Sequence, residues 1–104
     1  MKEEKRRHAR VKIRVPVEMR TPNENPIRAE TSDLSVSGFY VEMLFTLEVG
    51  AQLDITLRLG DASVVAVGEV VTCDRTVGNG IRFTRILPDD KEELDRYLQA
   101  ANAQ

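Results

Sequence analysis

Apolar and polar residues alternate along the first part of the chain. From Val11 to Met19 every second residue is apolar, and the residues between them are charged except for Pro16. A period of two places successive side chains on opposite faces of a β-strand, so that one face can be buried. The run therefore predicts a first strand that begins at Val11. Pro16 predicts an edge or a bulge in it, because proline cannot donate a hydrogen bond to a ladder.

The same alternation predicts five further strands, separated by segments rich in glycine, proline and asparagine. A loop is predicted over 21–26 and a turn over 77–80, and Gly68 predicts a bulge or bend in a long valine-rich strand. The five strands are predicted over 27–34, 39–43, 53–59, 63–73 and 81–85.

The C-terminal segment has a different period. Pro88 is followed by several acidic residues, which favours a helix N-terminus because proline fits the first turn and negative charge is stabilised there. Apolar residues then recur at helical spacing and predict one buried stripe, formed by Leu87, Leu94, Tyr97, Leu98 and Ala101. A helix over 88–101 that follows six strands over 11–86 predicts an all-β dominated fold, a six-stranded antiparallel β-barrel with a C-terminal α-helix.

The composition narrows the class of protein. A length of 104 residues predicts a single domain, 1–104, too small to combine a regulatory with a catalytic unit. No targeting segment or membrane-length apolar run is visible, so we expect a location in the cytoplasm. Cys73 is the only cysteine and His8 the only histidine, which argues against an internal disulfide, a metal site and a catalytic triad. An enzyme is therefore not expected.

The charge is distributed unevenly. Residues 1–14 contain seven Lys or Arg and two Glu, a balance of +5, whereas the rest of the chain contains eight Lys or Arg and fifteen acidic residues, a balance of −7. A basic segment on an acidic body indicates a local anion site rather than a broad nucleic-acid-binding face.

Two short motifs carry most of the candidate chemistry. Arg6 and Arg10 form R-x-x-x-R, and planar guanidinium groups suit phosphate oxygens and the O6/N7 edge of guanine. Asp33, Ser35 and Gly38 form D-x-S-x-x-G. The carboxylate can accept hydrogen bonds from guanine N1–H and the exocyclic amine, the hydroxyl can donate or accept, and glycine allows backbone to approach a ligand.

In this order, the two motifs resemble those of the PilZ domain family, bacterial receptors for the second messenger cyclic di-GMP. The later Gly80-Ile81-Arg82-Phe83 is similar to a Gly-aliphatic-x-Phe pattern near the last strand of that family. The resemblance covers nearly the whole chain and implies a PilZ-like split barrel, cyclic di-GMP as the ligand and no other cofactor. It implies these ligand-binding residues: Arg6, Arg10, Asp33, Ser35 and Gly38, with Arg7 and Lys5 as secondary contacts.

The resemblance also suggests a mechanism. Residues 1–10 have too little apolar surface to order themselves, so we expect a mobile basic arm that closes over the ligand and signals to an effector protein. The cation at Lys5, directly before the arginine motif, favours an intercalated pair of ligands over a single one.

Two alternatives stay open. Taken singly, a basic run is typical of a solvated tail, and D-x-S-x-x-G is typical of a turn in which Asp33 or Ser35 caps backbone groups. The chain could then be a ligand-independent PilZ-like adaptor that acts only through a protein partner. A small-barrel nucleic-acid binder is the other alternative. It is disfavoured, and no nucleic-acid partner is expected, because the chain has only five aromatic residues, mostly at core positions, to stack on bases.

Overall fold

Six antiparallel strands and one helix make up the computed structural model, which describes residues 10–102. The elements are β1 (Pro16–Arg20), β2 (Ile27–Ser35), β3 (Gly38–Glu42), β4 (Gln52–Leu59), β5 (Ala62–Asp74), β6 (Gly78–Ile86) and α1 (Pro88–Asn102). The predicted six-stranded antiparallel barrel with a C-terminal helix is confirmed. The helix in this described part of the chain lacks the length and apolar character needed to cross a membrane.

The strands close into a barrel in the order β1-β2-β3-β6-β5-β4, and β4 pairs with β1 to complete it. The pairing of β3 with β6 brings together segments that are far apart in the sequence. Because the barrel is closed, the predicted edge at Pro16 is wrong. Pro16 is the first residue of β1 and lies opposite Glu30 of β2.

The barrel interior holds the core. Strand β4 shows the alternation most clearly, since Leu53, Ile55, Leu57 and Leu59 are buried and face the interior. Leu94 and Leu98 of α1 extend this core against the sheet, as the helical stripe predicted. Leu87 does not belong to the stripe. It precedes the first helical residue and is 66% exposed.

The first strand begins later than its alternation predicts. Residues 12–15 lie outside β1, and Val11 forms only an isolated bridge with Leu34 of β2. The Thr31 side chain takes the place of a regular ladder, because its hydroxyl accepts from Val15 N at 3.0 Å and donates to Ile13 O at 2.7 Å. The barrel therefore starts at Pro16 rather than at residue 11, although its first strand keeps the predicted burial pattern.

The turn between β5 and β6 lies earlier than predicted. Val77 N donates to Asp74 O at 2.8 Å, and Thr76 adopts a positive φ of 62°. Residues 78–80 belong to β6 instead of forming the turn. Asn79 is fully buried there and bonds to both backbone groups of Leu47 and to Thr72 O, so it fixes the β3–β4 loop against the barrel. The predicted irregularity at Gly68 is confirmed by a register shift between Val67 and Gly68.

Candidate functional site

A bulge in β2 and a bridge to Val11 place Arg10, the last residue of the first motif, beside the second motif. The β2–β3 register shifts between Thr31 and Asp33, and Val11 bridges Leu34 through two backbone hydrogen bonds of 2.9 Å. This bridge sets Arg10 next to Asp33, and Arg10 Nη1 forms an ion pair with Asp33 Oδ1. The two side chains are 48% and 25% exposed. The last arginine of the first motif and the aspartate of the second therefore meet at one point on the surface.

Ser35 supports the turn between β2 and β3. It is buried, and its Oγ accepts from Ser37 N at 3.1 Å and lies 2.9 Å from Ser37 Oγ. A longer contact of 3.4 Å runs from Ser35 Oγ to Gly38 O. These bonds hold Ser37 and Gly38 in place. Ser35 thus has the capping geometry that is common for serine in turns.

Gly38 allows β3 to approach β6 closely. A Cβ at this position would lie 2.1 Å from Ile81 O, and Phe83 N donates to Ser37 O at 2.9 Å. Strands β3 and β6 could not pair in this register if position 38 carried a larger residue. The glycine of the second motif is therefore required by the barrel itself.

A surface groove of about 340 Å³ lies over these residues. It is within the range of known small-ligand sites. Its lining comprises Arg10, Asp33, Ser37, Gly38, Tyr40, Val71, Thr72, Gly80, Ile81 and Arg82. Two buried residues of this lining, Gly38 and Gly80, have no side chains to fill the groove, and we call them the glycine floor. A Cβ on Gly80 would lie only 2.4 Å from Thr72 Oγ1, to which Gly80 N donates at 3.0 Å.

Charged and polar side chains surround the glycine floor. Arg82 Nη2 lies 3.0 Å from Glu69 Oε1, which gives the groove a second guanidinium–carboxylate pair besides Arg10–Asp33. Tyr40 donates its hydroxyl hydrogen to Asp74 Oδ2 at 2.7 Å. This hydrogen bond is the main cause that raises the pKa of Tyr40 to about 12. At neutral pH the phenol is protonated, and its hydrogen is donated to Asp74.

The structure brings some of the predicted site residues together. Arg10, Asp33 and Gly38 line the groove, and Ser35 lies beneath the turn that borders it. The other predicted contacts, Lys5, Arg6 and Arg7, lie outside the described residues.

Three residues at or beside the groove were not predicted from the sequence: Tyr40, Arg82 and Glu69. Tyr40 could have been found, because it lies two positions after Gly38 and thus faces the same side of β3. The position of Arg82 and Glu69 depends on the pairing of β3, β6 and β5, which the sequence pattern does not specify.

Within residues 10–102, no group of three or more His, Cys, Asp or Glu side chains is arranged to hold a metal ion. The closed barrel, its terminal helix and the groove define a small β-barrel module whose surface groove carries two guanidinium groups. The chain belongs to the PilZ domain family, whose family model matches residues 4–100.

Solved structures share this fold at low sequence identity. The inhibitor of motility MotI/DgrA from Bacillus subtilis has a TM-score of 0.81 and 14% identity, and the match covers 95% of this chain and 52% of that one. This chain thus spans about half of MotI/DgrA. The PilZ domain of YcgR from Escherichia coli, solved with c-di-GMP, has a TM-score of 0.79 and 16% identity, with 94% and 92% covered.

The PilZ domain of CeSA from a cellulose-synthesizing bacterium has a TM-score of 0.71 and 18% identity, with 90% of this chain and 98% of that chain covered. No sequence among curated proteins matches the chain.

Proposed function

We propose that this chain is a receptor domain for cyclic di-GMP and acts as a binding module rather than an enzyme. One observation carries the proposal: Arg10 and Asp33, which belong to different motifs and are 23 residues apart, meet at the groove over Gly38. Membership of the PilZ family and a shared fold with a domain solved with c-di-GMP support it. Such a receptor acts in the bacterial cytoplasm, where the second messenger is made.

Each groove residue has a chemical role toward this ligand. Arg10 presents a planar guanidinium to a phosphate or to the O6/N7 edge of guanine, and Asp33 accepts hydrogen bonds from guanine N1–H and its amine. Gly38, which is buried, keeps the groove free of a side chain at this point. Ser35 acts indirectly, by holding Ser37 and Gly38. By resemblance, Arg6, Arg7 and Lys5 add further contacts.

The ion pair between Arg10 and Asp33 is compatible with ligand entry. Its arginine is about half exposed, and exposed ion pairs contribute only about 0–1 kcal/mol because water screens them. A ligand that offers phosphate to Arg10 and guanine N–H groups to Asp33 replaces this weak contact with two charge-assisted ones. The pair therefore holds both groups near their binding positions at little cost.

Calorimetry with cyclic di-GMP, GMP and a short single-stranded RNA tests the proposal. We expect heat with cyclic di-GMP and a Kd near the micromolar range, about −8 kcal/mol, because fixing residues of the arm costs roughly 1–2 kcal/mol each. RNA should give none. Heat with RNA but not with cyclic di-GMP would identify a nucleic-acid binder, and no heat with any of the three would favour the ligand-independent adaptor.

We further propose that residues 1–104 form one domain, which consists of an arm (1–10), a barrel (11–86) and a helix (88–101). The arm changes conformation when the ligand binds. The change would then be read by an effector protein. Arg10 lines the groove, so the residues that precede it begin within reach of a bound ligand. Amide hydrogen exchange tests this step: protection of residues 2–12 should rise with saturating cyclic di-GMP, whereas the turn at 75–77 should be unaffected. Binding without added protection would contradict the proposed closure.

A further inference from the structure

The outer face of β3, β6 and β5 carries a second arginine at the groove. Arg82 lies opposite Gly38 of β3 on one side and opposite Glu69 of β5 on the other. Its side chain is 59% exposed, and it lines the same groove as Arg10. Arg10 pairs with Asp33 on β2, so the two guanidinium groups reach the groove from the two strands that flank β3.

We propose that Arg82 is a further ligand-binding residue, and that its guanidinium pairs with a phosphate of the dinucleotide. This inference rests on the proposed function. Cyclic di-GMP carries two phosphates, and the groove carries two guanidinium groups, one paired with Asp33 of β2 and the other on β6. Neighbouring strands lie about 4.8 Å apart, so β2 and β6, which flank β3, lie roughly 10 Å apart, and a ligand that spans this distance touches both.

The surroundings of Arg82 leave it open toward the groove. Its neighbour across the β3–β6 pairing is Gly38, and its same-face neighbour along β6 is Gly80. Neither has a side chain that could cover the guanidinium. The carboxylate of Glu69 contacts it from the β5 side only, at 3.0 Å.

Glu69 gives the proposal a distinctive prediction. Its carboxylate competes with the phosphate for the Arg82 guanidinium, so Glu69→Gln should tighten binding by about threefold, which is less than one charge-assisted hydrogen bond contributes. If the effect passes through Arg82, the same substitution should change affinity little when Arg82 is already alanine. If Glu69 instead repels the ligand directly, Glu69→Gln should tighten binding in the Arg82→Ala variant as well.

The experiment measures cyclic di-GMP binding to the full chain by calorimetry, with Arg85→Ala as the matched control. Arg85 is also an exposed arginine of β6, opposite Val67, and is absent from the groove lining. We expect Arg82→Ala to raise Kd by about tenfold, as for one partly exposed charge-assisted contact. Arg85→Ala should stay within about twofold, because distant exposed charges are screened.

Salt dependence separates binding from a merely structural role. Raising the salt concentration should weaken binding less in Arg82→Ala than in the wild-type protein, while Arg85→Ala should keep the wild-type dependence. Equal affinities and salt dependences in the two variants would overturn the role of Arg82 and leave the proposed function standing, provided that the wild-type protein binds. Absence of wild-type binding would overturn both.

Discussion

Replacing Arg10 with alanine is expected to weaken cyclic di-GMP binding by about a hundredfold, the loss that two charge-assisted hydrogen bonds from one guanidinium would produce. The substitution also leaves the Asp33 carboxylate beside the groove without its cation, where it repels phosphate. Arg10→Lys should give an intermediate affinity, because lysine keeps the charge and loses the planar fork. Calorimetry of the variants against the wild-type protein measures the change.

Arg14→Ala is the matched control for this prediction. Arg14 belongs to the same basic segment, is more exposed, and contacts Glu30 at 3.7 Å on a part of the surface outside the groove. Its removal changes the net charge equally and should alter Kd by less than about twofold. The free energy of unfolding should fall by at most about 1 kcal/mol in either variant, since both ion pairs are solvent-exposed. Equal loss of binding in the two variants would mean that the segment acts only through its overall charge.

Gly38→Ala is expected to destabilise the barrel by at least about 3 kcal/mol and to abolish binding. The added Cβ would lie 2.1 Å from Ile81 O and 3.0 Å from Arg82 Cα. Both are backbone atoms, so no side-chain rotation relieves the overlap, and β3 and β6 must separate at the place where the groove is formed. Urea unfolding followed by circular dichroism measures the loss.

Gly60→Ala provides the comparison for this second prediction. Gly60 has a positive φ of 67°, and no heavy atom lies within 4 Å of the place that an added methyl group would occupy. Its replacement should therefore lower the free energy of unfolding only by the strain of a left-handed backbone at a non-glycine residue, about 1 kcal/mol. If Gly38→Ala cost no more than Gly60→Ala, the close approach of β3 and β6 would not constrain this position.

The strand count and the helix could be predicted because each barrel strand buries one face. In β4 that condition holds at every position, and the alternation gives its bounds to within one residue. The alternation gives the wrong strand start where a side chain takes the place of a backbone hydrogen-bond partner, as the Thr31 hydroxyl does beside residues 12–15. The predicted turn at residues 78–80 is also wrong, although Gly-Asn-Gly is typical of turns. Here the two glycines allow close packing of strands, and the Asn79 amide is buried and hydrogen-bonded.

The candidate site was predictable only where its residues are close in sequence or form a motif. Arg10, Asp33 and Gly38 were found in this way. Arg82 contributes because the β3–β6 pairing joins segments about forty residues apart, and a local pattern contains no information on that register. Ser35 matched the motif, yet its hydroxyl bonds to the turn below the groove.

Closure of the barrel restricts how this module can meet a protein partner. Every strand from β1 to β6 has a neighbour on both sides over part of its length, and the unpaired edges in the described part of the chain are short, such as residues 85–86 of β6, which pair with β5 and not with β3. A peptide that extends this sheet by adding a strand, a common way for β-proteins to capture partners, therefore finds few free backbone groups, and edge-to-edge aggregation is disfavoured for the same reason. If the module binds an effector protein, we expect side chains on the outer surface of the barrel and helix to form the contact.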